Sequence, residues 1–445
     1  MALKIVPLRI PIFWLMALSL AASPLAPSAQ QVAGTLWAMG SNSIGQRGDG
    51  TTNQLLSPTQ IATGVISAAS GQLHTLFVKE DGTLWGVGWN GEGEIGAGKL
   101  VFTTRPVEVA TDVRSVAVGD FNGFFIKNDR GLWTMGSNLS GQLGDGTTAN
   151  RLTPIQVASE VASVSAGQFH AMFVKTDGTL WGMGSNGAGQ LANGMRTDSP
   201  TPVYSQSGVR SVACGSGYTL YVTQDGTLWG VGVNSYGQLG LGHTNRVLIP
   251  VLVATGVKAA ATRNVTSFFI TEDGTLWGMG FNLYGLLGDG TTVAKSLPAR
   301  IASDVSAVAA GQFHTLFLKK DGTVWAMGQN TAGQLGDGTT SQRNLPVQIA
   351  SGVSAIMADS DNSLFIKSEP IGVAAPTLGK PVYAPPSFTF TATTDAGQLY
   401  RVEFKSALGS ATWLEVSTIR GDGTLMQFSA QITTQNGFYR LAAVP

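Results

Sequence analysis

Seven tryptophans, Trp37, Trp85, Trp133, Trp181, Trp229, Trp277 and Trp325, follow one another at a fixed step of 48 residues. A fixed period means one supersecondary unit used many times, each burying its apolar face only against its neighbours. The same step carries valines from Val65 to Val353, prolines from Pro58 to Pro346, and the aromatics Phe77, Phe125, Phe173, Tyr221, Phe269, Phe317 and Phe365, with no insertion or deletion. Each unit reads as four short strands. Its clearest part is a hairpin in which two apolar runs flank Asp81-Gly82, a pair that returns at Asp177-Gly178, Asp225-Gly226, Asp273-Gly274 and Asp321-Gly322. Asp-Gly tolerates the positive φ that a tight turn requires. Upstream runs such as Val209 to Gly215 use small side chains suited to a crowded axis, and the repeat proline belongs at a strand start or an outer edge.

Four strands in each of seven units predict an all-β chain, a seven-bladed β-propeller rather than an open solenoid. The phase of the array supports closure. It begins with a third and fourth strand, Gly34 to about Ile61, and ends with a first and second, Gly352 to Lys367, so the two half-blades complete one another. The propeller is expected over residues 33–369. Before it, Lys4 and Arg9 precede the apolar run Ile10 to Ala22 and a small-residue exit, which predicts a signal peptide over 1–29 and a secreted, periplasmic or cell-surface protein; that run is too short to span ~30 Å of hydrocarbon. After it, Pro370, Pro376, Pro381, Pro385 and Pro386 predict a stiff linker over 370–387. Period-2 alternation predicts a small sandwich-like β module over 388–445.

Lys and Arg total 27 and Asp and Glu total 27. The lack of net charge argues against nucleic acid or anionic membrane as a constitutive partner, because both need a basic surface. A single cysteine, Cys214, excludes a disulfide framework and a thiolate metal site.

The unit G-T-L-W-x-M-G-x-N-x-x-G-Q-L-G-D-G-T-T, best seen at Gly322 to Thr340 together with Val305 to Gly322, resembles the repeat of the regulator of chromosome condensation family. The resemblance implies a seven-bladed propeller. The eukaryotic namesake of that family is an exchange factor for a small nuclear GTPase and binds chromatin through an inserted β-wedge; an array without insertion and with a secretory front does not fit that activity. Secreted bacterial members of the family include a β-lactamase inhibitor protein that binds with loop aromatics on one face, and the resemblance points that way.

Motifs that look catalytic dissolve into the repeat. Gly86 to Gly91 and Gly182 to Gly187 match G-x-G-x-x-G, but no helix follows either copy, as a dinucleotide site requires. Asp49, Asp145, Asp289 and Asp337 offer one carboxylate per loop, short of the six to eight oxygens calcium takes, and read as turn-stabilising residues. His74, His170 and His314 share a position held elsewhere by Asn122, Tyr218, Thr266 and Asn362, which suggests a hydrogen-bonding post between blades. No cofactor or metal is expected.

Residues that break the internal pattern are therefore the candidates for contact. After the Trp-x-x-Gly exit, Trp89, Val233 and Phe281 stand where other units have Ser or Gln. Tyr236 and Tyr284 replace small or polar residues three positions on, and Phe102, Leu139 and Met195 occupy related loops. Val233, Tyr236, Phe281 and Tyr284 belong to neighbouring units and are expected to form one apolar, aromatic patch, the alternative being packing between blades. The sequence reads as a monomeric, non-enzymatic scaffold that binds a protein partner. Its rivals are a polysaccharide lyase or hydrolase acting across the mouth of the ring, and a structural surface component.

Overall fold

The computed structural model describes residues 33–368 and, beyond them, the strands Val382–Ala384, Ser387–Thr393, Leu399–Lys405, Leu414–Arg420, Leu425–Gln431 and Phe438–Ala443. The expected signal segment lies outside the described residues. The chain divides into two compact units between Ser368 and Glu369.

In the first unit each 48-residue step becomes an antiparallel four-stranded blade. The third is representative: Val161–Ala166, His170–Lys175, Leu180–Gly184 and Ser199–Gln206 pair in sequence order. Closure occurs as the half-blades predict. Gly34–Gly40 pairs with Asn362–Ser368 in continuous register, Gly34 opposite Ser368 and Gly40 opposite Asn362. The next strand, Leu55–Ser70, serves two blades, its first half completing the seventh and its second half, from Val65, opening the first. Gly64, with φ +66°, marks the point where the other blades turn, and the matching residues Asp112, Glu160, Gly208, Gly256, Asp304 and Gly352 share its positive φ.

The hairpin chemistry fixes the tryptophan in four of the seven units, where Trp37, Trp85, Trp181 and Trp325 each donate from Nε1 to the threonine two residues before. Asp81 accepts from the backbone N–H and hydroxyl of Thr83, and that hydroxyl accepts from Trp85 Nε1 at 2.7 Å. Lys79 lies 4.7 Å above the indole, within cation–π range. Between blades, apolar layers form from both neighbours; Phe124, Ile126 and Leu132 of the second pack with Val161, Phe173 and Met183 of the third.

The second blade departs from this hairpin. Arg130 holds the positive φ, +66°, that Gly82 and Gly178 hold elsewhere, and Gly131 replaces the threonine, leaving Trp133 Nε1 buried without a partner. A side chain at a left-handed position costs about 1 kcal/mol, and a restored hydrogen bond contributes about 1 kcal/mol. The Cβ of a threonine at 131 would meet only side-chain ends, those of Gln156, Asp129 and Trp133. Arg130→Gly with Gly131→Thr is expected to stabilise the protein by about 1–2 kcal/mol. A urea midpoint equal to or below that of the parent would refute this account.

The second unit contains two three-stranded antiparallel sheets. One pairs Val382–Ala384 with Ser387–Thr393 and that with Leu425–Gln431; the other places Leu399–Lys405 between Leu414–Arg420 and Phe438–Ala443. Val382–Ala384 and Ser387, expected within the linker, instead form strand, Val382 standing opposite Thr389 and Ala384 opposite Ser387.

Candidate binding face

Strands alternate in direction, so the loops after first and third strands share one face of the ring and the Asp-Gly hairpins share the other. Backbone bonds tie the two loop sets together: Val233 N–H donates to Gly217 O at 2.9 Å and Phe281 N–H to Val265 O at 3.1 Å. Each long loop after a third strand is organised by a buried asparagine. Asn138 accepts from Leu143 N–H at 2.9 Å and donates to Asp145 and to Thr147 O, and Asn42, Asn186, Asn234, Asn282 and Asn330 repeat the acceptance. The Asp145 and Asp337 carboxylates are consumed by these contacts, by the following threonines, and by Arg151 and Arg343. What remains free are the residues just after each asparagine, held outward on a fixed backbone.

Tyr236, Phe281 and Tyr284 meet on this face. Tyr236 meets Phe281 edge-on at 5.3 Å between centroids, and Phe281 meets Tyr284 at 6.1 Å. Phe313, from the loop after the next first strand, completes the group at 4.9 Å from Tyr284 and 6.0 Å from Phe281. Tyr236 is 46% exposed and the adjoining Leu283 58%, while Phe281, Tyr284 and Phe313 are half-buried beneath them. The Tyr236 backbone is pinned by Gln238, whose side-chain oxygen accepts its N–H at 2.9 Å. Val233 is half-buried and packs near Gly217. The other candidates lie apart. Trp89 and Phe102 are register partners at the ends of two strands of the first blade, so Phe102 opens a strand rather than lying in a loop. Leu139 and Met195 stand exposed on separate loops.

The axis of the ring is narrow and smooth. Ser67 to Ser70, Val116 to Val118, Val164 to Ala166 and their equivalents wall a cavity of about 120 Å³. Above it a second, polar cavity of about 250 Å³ opens toward the loop face, and Cys214, Arg263 and Asp359 border both. Arg263, from the fifth blade, reaches Asp120 of the second and Asp359 of the seventh, each at 2.5 Å from the same guanidinium nitrogen. Burial alone would lower the Arg263 pKa, but the charges of Asp359 and Asp120 outweigh it and hold the group above its ordinary value. One arginine shared by two acids gains more than either. Burial pushes Asp359 up to about 7, opposed by Arg263 and reinforced by Asp120.

This bridge has a sequence signal that the search for aromatic outliers passes over. Arg263 and Asp359 stand where the other blades have Gly71, Gly119, Gly167, Gly215 and Gly311. A Cβ at Gly71, Gly167, Gly215 or Gly311 would collide with the ring of His74, His170, Tyr218 or His314 in the same blade, and one at Gly119 with Asn122. In the two exceptional blades the post is Thr266 or Asn362, neither of them a ring. The posts themselves link blades: His170 Nε2 lies 3.0 Å from Thr219 Oγ1, His314 Nε2 lies 2.8 Å from Ser363 Oγ, and Tyr218 OH donates to Thr266 O at 2.7 Å.

A closed ring of seven blades with one rigid loop-built face defines the class of propeller scaffolds that bind. Two family profiles, both described as the Regulator of chromosome condensation (RCC1) repeat, match this chain. One covers residues 130–174, 177–222, 225–268, 273–318 and 321–359, the other 65–94, 161–190, 209–238 and 305–334. The chain belongs to the RCC1-repeat family. Among solved structures, human WBSCR16 is 20% identical with a TM-score of 0.68, covering 76% of this chain and 100% of its own. Prp20p of Saccharomyces cerevisiae, described with its binding properties to Gsp1p and histones, is 18% identical with a TM-score of 0.68, covering 78% and 92%. Yeast RCC1 (Prp20) with Kap60 bound to it is 17% identical with a TM-score of 0.68, covering 82% and 97%. At such identities the likeness concerns the fold. No curated protein sequence matches the chain.

Proposed function

We propose that this chain is a secreted, non-enzymatic binding propeller that recognises a protein through its loop face, with the Tyr236, Phe281, Tyr284 and Phe313 cluster as the anchor. The observation that carries the reading is the contact chain among those four rings, drawn from three loops and capped by the exposed Tyr236 and Leu283. Aromatic side chains held on a fixed backbone lose little entropy on binding, which is how hot spots gain affinity. Protein partners of the yeast relatives support a protein partner here, and the basic-then-apolar front of the sequence supports export. The rival enzyme needs convergent carboxylates free to move a proton. Asp120 and Asp359 do converge, but both are committed to Arg263.

Tyr236→Ala with Tyr284→Ala is expected to weaken capture of the native partner, in a pull-down from the producing organism's periplasm or medium, by at least about 100-fold, two hot-spot losses of ~2 kcal/mol each being ample. The melting temperature should shift by only a few degrees. Undiminished capture, or a collapse in stability that assigns the rings to the core, defeats the proposal.

A further inference from the structure

Above the Arg263 bridge the polar cavity is walled by a single repeat position, the residue after the Gly, Arg or Asp just discussed: Gln72, Asp120, Gln168, Ser216, Asn264, Gln312 and Ser360, one from each blade. All seven are polar, although nothing in blade packing demands it. Within the protein, Gln168 accepts from Ser216 Oγ at 3.1 Å, while Gln72, Asn264 and Gln312 make no side-chain hydrogen bond among the described residues. Their capacity faces the cavity unspent.

We propose that this cavity binds a neutral, hydroxyl-rich ligand of the size of one sugar ring. The donor and acceptor balance selects the class. A carboxamide both donates and accepts, and so does a hydroxyl of serine or of a sugar. An anion would call for donors alone and a cation for acceptors alone, and the charged groups at the floor, Arg263 with Asp120 and Asp359, already satisfy one another. That ion pair leaves polarised oxygens and N–H groups at the base, the strong partners a hydroxyl prefers. Phe121 supplies an apolar wall for the C–H face of a ring. The volume of about 250 Å³ falls just below the range of drug-sized sites, room for one pyranose but not for a chain lying flat. Because the cavity opens on the loop face, a terminal sugar of a longer glycan can enter as readily as a free one. The site uses none of the aromatic cluster and stands independently of the protein-binding reading.

The test has two arms on the full chain. Calorimetry with D-glucose, D-galactose, D-mannose, L-fucose and N-acetyl-D-glucosamine probes free sugars, and an array of oligosaccharides attached through their reducing ends probes glycan termini. Saturable binding with a dissociation constant on the order of 1 mM is expected for at least one probe. It should weaken at least about tenfold in Gln168→Leu/Gln312→Leu, whose melting temperature stays near that of the parent, and persist in Tyr236→Ala/Tyr284→Ala. Binding in the first arm identifies a free ligand, and binding in the second arm alone identifies a glycan end. No binding in either arm up to roughly 50 mM, or binding that survives the glutamine substitutions, overturns the proposal.

Discussion

Arg263→Leu is expected to destabilise the propeller by about 3–5 kcal/mol at pH 8 and by roughly 1 kcal/mol at pH 5.5. The side chain holds Asp120 and Asp359, and only Asp120 has appreciable contact with solvent. Without the guanidinium, Asp359 is a buried carboxylate with no counter-charge, the condition under which breaking an ion pair costs most. Its folded pKa of about 7 already exceeds the ordinary value near 4, so its ionisation favours the unfolded chain, and stability from this group falls as pH rises from about 4 to about 7. Losing Arg263 raises that pKa further and widens the window. At pH 5.5 the folded variant keeps the proton and leaves no charge buried. His74, lowered partly by the Arg263 charge, is relieved in the same variant, which shifts the low-pH difference in the same direction. Urea titrations of parent and variant at the two pH values measure the effect. A penalty independent of pH would mean that Arg263 contributes packing rather than charge. Adding Asp359→Ala to Arg263→Leu is expected to recover most of the loss at pH 8, since the charge left unpartnered is then gone.

The ring was legible because its physics is periodic. Trp85 needs Thr83, Asp81 and Lys79 at fixed offsets, and the half-blades at Gly34 and Asn362 can only satisfy each other. The aromatic group was legible in three of its four members. Phe313 was not, because Phe121 and Phe169 hold the same repeat position, so a phenylalanine there does not break the pattern. Arg263 and Asp359 do break a glycine series, but the break has meaning only once the ring brings the fifth, second and seventh blades to one axis. Trp89, Phe102, Leu139 and Met195 break the pattern as visibly as Tyr236 does, and the ring leaves them apart. In the second unit alternation marks the strands but not their partners; Ser387–Thr393 pairs with Leu425–Gln431 across two intervening strands.

Acidification from pH 7 to 4.5 is expected to lower stability by an amount on the order of 5 kcal/mol, and the three histidine posts are the cause. Burial drives His170 and His314 down to about 4; burial, with the Arg263 charge, drives His74 to about 3, against an ordinary value of 6.5. Below pH 6.5 the unfolded chain takes up protons that the folded ring refuses. The stability these groups contribute is therefore complete above about 6.5 and lost as pH falls toward 4. Asp359 acts in the opposite direction over the same interval and offsets part of the loss. His74 separates the cause from general acid denaturation. Its equivalents find Thr219 and Ser363 on the next blade, but the residue facing His74 is Gly123, and its Nε2 is buried without a partner. Asn122 already occupies the same post in the second blade, so His74→Asn introduces a side chain the architecture accepts. That variant should match the parent within about 1 kcal/mol at pH 7, where His74 Nε2 has no partner to lose, and exceed it by about 2 kcal/mol at pH 4.5. Parallel stability curves for the two proteins between pH 7 and 4.5 would remove the posts from the explanation.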